Sequence, residues 1–164
     1  MKGNKKTIAI YPGTFDPVTF GHIDIIKTAS KMFNQVFVAI ASNTGKEPFF
    51  EAEERQQFLK QATASLDNVK IETFDGLIVN YARKKSAKAI IRGIRAVSDF
   101  DYEFQMALAN RKLEPEINTV FIMPSEEHFY LSSRLIKEIA QFGGDVRRFV
   151  PPFVVKRLRE KISI

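Results

Sequence analysis

The chain has 164 residues, 45% hydrophobic and 27% charged, enough for one well-buried core and too few for two ordinary domains. It has no cysteine, which excludes a disulfide framework, a thiolate metal site and a cysteine nucleophile, and two histidines do not rescue a classical zinc site. With 25 basic and 19 acidic residues the net charge is +6, which favours an anionic partner without choosing among nucleotide, phosphorylated metabolite, nucleic acid and acidic membrane.

In chain order, MKGNKK leads into a strand and not into an apolar leader, and no apolar run approaches the roughly 18 residues of a membrane span, so a cytoplasmic protein without membrane attachment is expected. TIAIY (Thr7 to Tyr11) reads as the first strand, followed by the loop PGTFDPVTFGH. Ile25, Ala29, Met32 and Phe33 then recur at helical spacing. QVFVAIA (Gln35 to Ala41) is the second strand, and SNTGKEPFF with Lys46 follows it. NVKIETF, from about Asn68, is the third and leads into DGLI; AKAIIRG, from Ala87, is the fourth and leads into RGIR. A helical window follows with Phe100, Phe104, Ala107 and Leu108, in which Phe100 and Phe104 are expected in the core and Tyr102 is undecided. INTVFIM, from Ile117, is the fifth strand, leading into PSEEHFYLSSR. Gly143-Gly144 and Pro151-Pro152 punctuate the end, the prolines opening a last helix with Val154, Leu158 and Ile162. Its Lys156, Arg157, Arg159 and Lys161 read as a solvated face, since no aromatic platform accompanies them as a nucleic-acid footprint would require. Strands alternating with helices predict an α/β fold: a Rossmann-like doubly wound sheet of five parallel strands with flanking helices, in a single domain over 1–164.

In such a sheet, ligands bind beyond the carboxyl ends of the strands, where loops and helix N-termini converge. All the loops on that edge carry glycine, a hydroxyl or a cation suited to phosphate. Gly13 permits a close turn, Thr14 and Phe15 bring a hydroxyl and backbone N–H groups to the edge, and Thr19 is a plausible helix cap. His22 then falls in a first helical turn, where free N–H groups and the helix dipole favour an anion and an imidazole donor can follow charge growing on a phosphoryl oxygen. Arg92 and Arg95 straddle Gly93 at a strand end, either reaching phosphate or pairing with Asp99, Asp101 or Glu103. Ser132 and Ser133 suit the cap of a helix beginning near Arg134, a place that also binds anions.

The Thr-x-Gly-His run ending at His22, with Gly-Thr-Phe-Asp-Pro before it and a strand before that, resembles the signature of the nucleotidyltransferase superfamily shared with class I aminoacyl-tRNA synthetases. IRGIRAVSDFDYEFQMALANR (Ile91 to Arg111) and MPSEEHFYLSSRLIKEIA narrow this: the chain resembles the bacterial phosphopantetheine adenylyltransferase family, in order and over nearly its whole length. The resemblance implies that ATP and 4'-phosphopantetheine are the substrates, with Mg2+ on the ATP phosphates, a homohexamer, and coenzyme A as a feedback ligand. It implies that Thr14 and His22 contact the reacting phosphates, His22 as transition-state stabiliser, and that Lys46 and Arg92 hold the phosphate of the acceptor. Ile78, beside Leu77, is then a wall of the pantetheine site. Phe15, Gly93, Ile94, Arg95 and Glu103 match ATP-binding positions, as does the run His128, Phe129, Tyr130, Leu131, Ser132, Ser133 and Arg134. Many relatives have a hydroxyl residue where this chain has Arg134, which leaves its contact with the β or γ phosphate open. Adenylyltransferases for nicotinate mononucleotide and cytidylyltransferases for glycerol 3-phosphate share the signature but not the combined Arg92 and SSR segments. A basic nucleic-acid-binding module and a catalytically silent nucleotide sensor are the alternatives outside the enzyme class.

Overall fold

Uninterrupted runs of Val, Ile, Ala and Phe between turn residues make strands that are apolar on both faces and must be covered on both. In the computed structural model, which describes residues 6–42, 45 and 47–163, they are β1 (Ile8–Gly13), β2 (Gln35–Ala41), β3 (Val69–Phe74), β4 (Ala89–Gly93) and β5 (Asn118–Ile122). The five form one parallel sheet in the spatial order β3-β2-β1-β4-β5. Alternation along β1 sends Ala9 and Tyr11 into one core and Ile10 into the other. The first core is closed by α1 (Phe20–Met32), α2 (Ala52–Ala62), α5 (Ser133–Gln141) and α6 (Pro152–Ile162), the second by α3 (Ile78–Lys84). Helix α4 (Val97–Leu113) joins β4 to β5 and packs along β5.

Helix ends follow local chemistry. Thr19 caps α1, Ser132 caps α5, and Pro152 occupies the first turn of α6, where its missing N–H costs nothing. The basic residues of α6 are partly neutralised: Arg157 and Lys161 pair with Glu54 of α2, and Lys156 lies 4.0 Å from Glu160.

Three expectations need correction. First, β1 runs two residues beyond Tyr11, with Pro12 and Gly13 in register with Ala39 and Ile40. A proline is tolerated at a strand end because the ladder asks little of its missing donor there. Second, Met32 is 55% exposed: the buried stripe of α1 stops at Ala29, and half-buried Phe33 takes its place as the chain turns toward β2. Third, Phe100, Phe104 and Leu108 do not enter the core and remain 45%, 46% and 51% exposed. Helix α4 turns Glu103 and Asn110 inward instead, and the two phenylalanines stack on each other with centroids 5.6 Å apart.

Candidate active site

The strand order reverses between β1 and β4, the topological switch point at which an open parallel sheet leaves a crevice beyond its carboxyl ends. Two cavities meet there. The first, about 310 Å³, has Tyr11, Thr14, His22, Arg92, Arg95 and Ser132 among its walls. The second, about 370 Å³, is more apolar and lies between α3 and α4, with Leu77, Ile78, Tyr102, Met106 and Asn110 in its wall. Pro12, Gly13, Thr14 and Arg92 belong to both.

The loop after β1 sets His22. Thr19 Oγ1 accepts from the His22 backbone N–H at 3.3 Å, and the Thr19 backbone N–H donates to His22 Nδ1 at 3.1 Å, a reciprocal cap. With Nδ1 accepting, the proton of the neutral ring resides on Nε2. Phe15, in the left-handed region at φ 51, sets its ring edge-on between those of Tyr11 and His22, a conformation that costs on the order of 1 kcal/mol and is tolerated where a functional loop demands it.

Burial, with the nearby Arg95 charge, pushes the His22 pKa down to about 4. The unfolded chain takes up this proton near 6.5, so between pH 6.5 and 4 it holds more protons than the folded one. The stability contributed by His22 is therefore complete above pH 6.5 and lost on acidification toward 4. With only two histidines in the chain, NMR titration reads this directly: the His22 imidazole titrates with a midpoint near 4 in the free protein. A midpoint near the unperturbed value would contradict the neutral ring.

Both arginines pair within the protein. Arg92 Nε and Nη2 donate to Glu103 Oε2 and Oε1 at 2.7 and 2.6 Å, and Arg92 Nη1 lies 3.5 Å from the Pro12 carbonyl. Arg95 Nη1 donates to the Leu131 carbonyl at 2.9 Å, and its Nε is 3.5 Å from Asp99. The pairing alternative is thus realised, but with a buried Glu103 carboxylate, and both guanidiniums remain on the wall of the first cavity. Glu103, matched to ATP binding by resemblance, spends both oxygens on Arg92.

The run from His128 to Arg134 divides. Leu131, Ser132, Ser133 and Arg134 line the first cavity; His128, Phe129 and Tyr130 do not. His128 Nδ1 lies 2.7 Å from Asp24 Oδ2, pinning the short 3-10 turn Glu126–His128 to α1, while Phe129 and Tyr130 are exposed. Ser132 Oγ accepts from Leu135 N–H at 3.1 Å, and Ser133 Oγ donates to the Pro17 carbonyl at 2.7 Å. Exposed Arg134 also borders an outer groove with Lys137 and Phe49. Ile94 extends the β4–β5 ladder through its N–H to the Ile122 carbonyl and is absent from both cavity walls. Ile78 lines the second cavity, as does Tyr102. Lys46 lies outside the described residues.

Sequence reasoning missed several residues. Tyr102 is undecided from sequence, and Met106 and Asn110, four and eight residues on, continue a helical signal that the brighter Phe100, Phe104, Leu108 stripe concealed. Asp16 accepts the Phe49 and Phe50 N–H groups at 2.9 and 2.8 Å and Lys137 Nζ at 2.9 Å, fastening the segment after Lys46 to the first loop. Arg55, fully enclosed, donates to the carbonyls of Phe50, Thr14 and Ala41 and so joins the ends of β1 and β2. No local pattern announces these three-way ties.

Comparison with known proteins shows the family and the fold. A family model described as cytidylyltransferase-like matches residues 10–139. The phosphopantetheine adenylyltransferase of Caldanaerobacter subterraneus subsp. tengcongensis is 55% identical over 95% of this chain and 98% of its own length. That of Thermodesulfovibrio yellowstonii is 56% identical over 94% and 96%. Among solved structures, the nicotinic acid mononucleotide adenylyltransferase of Plasmodium falciparum complexed with NaAD superposes with a TM-score of 0.65, covering 94% of this chain and 95% of its own, at 17% identity. That likeness speaks for the fold.

Proposed function

Since the chain belongs to the cytidylyltransferase-like nucleotidyltransferases and, within them, to the phosphopantetheine adenylyltransferases, we propose that it transfers the adenylyl group of ATP to 4'-phosphopantetheine, giving dephospho-coenzyme A and pyrophosphate. The observation that carries this reading is the shared wall: Thr14 and Arg92 face both a polar cavity and an apolar one. A nucleotide triphosphate suits the first, with its two guanidiniums, hydroxyls and helix N-termini. A pantetheine arm, apolar with amides along its length, suits the second, where buried Asn110 offers an amide among Leu77, Ile78 and Met106. The acceptor phosphate then lies at the junction, in line with the α-phosphorus.

The chemistry follows from charge. A phosphate monoester has a second pKa of about 6, so the nucleophile is already ionised near neutrality and needs no general base. One of its oxygens forms a bond to the α-phosphorus as the bond to the β-phosphate oxygen breaks, and pyrophosphate leaves with that electron pair. The protein holds two anions in line and stabilises the charge that grows between them. In this reading Arg92 and Lys46 hold the acceptor phosphate, Thr14 and the Nε2–H of His22 reach the transferring phosphoryl group, and Arg95, Ser132 and Ser133 flank the nucleotide. Mg2+ bound with ATP would neutralise phosphate charge, and it would be held mainly by nucleotide oxygens and water, because the nearby carboxylates are engaged: Glu103 by Arg92, Asp16 by Lys137 and two N–H groups.

The test is product analysis. Incubating the protein with ATP, Mg2+ and 4'-phosphopantetheine yields dephospho-coenzyme A and pyrophosphate by mass, and nicotinate mononucleotide in place of the acceptor yields no dinucleotide. The opposite preference would overturn the reading.

The same reading extends to assembly and setting. The exposed apolar stripe of α4 supports self-association, with Phe100, Phe104 and Leu108 covered by neighbouring copies, and the family resemblance makes the assembly a homohexamer. Light scattering on the wild type then gives the mass of six chains, and Phe104→Asp lowers it; a monomeric wild type would refute this. Coenzyme A, which carries the same pantetheine arm, would compete at the same two cavities. No helix among the described residues is long and apolar enough to cross a membrane, and the charged solutes of the reaction fit the cytoplasm.

A further inference from the structure

Tyr11 lies in the buried part of β1, on the wall of the first cavity, and is 4% exposed. Phe15 fixes its ring, edge to face with centroids 5.4 Å apart. The phenol oxygen comes close to the end of β4, since a β-carbon added to Gly93 would stand 3.7 Å from it. Among the described residues it has no hydrogen-bond partner, yet no enclosed side-chain polar atom there is left unsatisfied, so the oxygen meets the cavity itself. A phenylalanine would pack this position equally well, and the chain uses phenylalanine 15 times. A hydroxyl carried to the wall of a polar cavity and given no protein partner calls for one from outside.

The surrounding charges indicate which kind. Arg92 and Arg95 act on the phenol along with Glu103, and burial holds its pKa above the ordinary tyrosine value, so the group stays protonated and donates. A neutral donor beside two guanidiniums suits an oxygen-rich anionic ligand and adds direction to attraction that the cations supply without it.

We propose that the Tyr11 hydroxyl is a nucleotide-binding group, donating a hydrogen bond from the cavity wall to an acceptor oxygen of bound ATP. This deepens the adenylyl-transfer reading and rests on it. The acceptor is a phosphoryl oxygen or a ribose oxygen, which share the needed chemistry and can be told apart.

Tyr11→Phe removes the hydroxyl and keeps the ring, and calorimetry on the full chain compares ATP with inorganic tripolyphosphate. ATP binding weakens by about five- to fifty-fold, the worth of one hydrogen bond to a neutral or charged acceptor, while the melting temperature is unchanged. Equal weakening toward tripolyphosphate assigns a phosphoryl oxygen; weakening toward ATP alone assigns the ribose. Either result supports the proposal. ATP affinity within about twofold of wild type overturns it, one hydrogen bond being worth more than that. A melting temperature lowered by several degrees also overturns it, by revealing a protein partner for the hydroxyl. If wild-type protein forms no dephospho-coenzyme A, the assigned reaction falls, while the ratio of ATP affinities still reports on Tyr11.

Discussion

His22→Ala lowers turnover by about two to three orders of magnitude and changes ATP affinity by less than about threefold, because the imidazole meets charge that exists only during transfer. The geometry requires this split. The Thr19 N–H occupies Nδ1 at 3.1 Å, which leaves Nε2–H as the group that can donate into the cavity. Burial and Arg95 keep the ring uncharged at neutral pH, with a pKa of about 4. It therefore adds no cation to ground-state binding, but its donor strengthens as negative charge accumulates on the phosphoryl oxygens. The variant keeps the backbone bond from residue 22 to Thr19 Oγ1 and loses only the ring's half of the cap, Thr19 N–H to Nδ1, at a cost of about 1 kcal/mol in stability. Steady-state rates of pyrophosphate release, with ATP affinity by calorimetry, separate the effects. Turnover within about threefold of wild type would remove His22 from the reaction, since lost transition-state donors cost far more.

Arg92→Ala has the second large effect, on two properties at once. Glu103 is 7% exposed and relies on Arg92 for both carboxylate oxygens. Removing the guanidinium leaves a buried carboxylate unpaired, which destabilises the fold by about 2–4 kcal/mol, allowing for the partial exposure of Arg92. Activity falls too, because the junction between the cavities loses its cation. The double variant Arg92→Ala with Glu103→Gln separates the two: stability returns by more than about 1 kcal/mol, since no charge is then stranded, while the acceptor KM stays high. Urea unfolding and acceptor saturation curves measure both. A double variant no more stable than Arg92→Ala, or an Arg92→Ala enzyme with wild-type acceptor KM, would break the account.

What could be read in the chain beforehand is uneven for physical reasons. The limits of β2 and the caps at Thr19 and Ser132 were legible because each depends on a few adjacent residues. His22 was legible as a first-turn histidine for the same reason. The inward face of α4 was not: Phe100, Phe104 and Leu108 have the stronger apolar period, while Glu103 turns inward to pair with Arg92 and Asn110 to the wall of the second cavity. Nor could Asp16 have been assigned its contacts with Phe49, Phe50 and Lys137, which are 33, 34 and 121 residues away.

By itself the sequence determined an alternating α/β chain, a phosphate-seeking edge and the chemical character of its loops, since strand alternation, helix period and capping act over a few neighbouring residues. Only the tertiary structure decided that β1 and β4 lie side by side, that Thr14 and Arg92 wall two cavities at once, and that Arg92 is held by Glu103 while the Tyr11 hydroxyl has no hydrogen-bond partner among the described residues. Those outcomes depend on the strand order and on which distant side chains it brings within hydrogen-bond reach, a property of the assembled sheet that no local stretch of chain encodes.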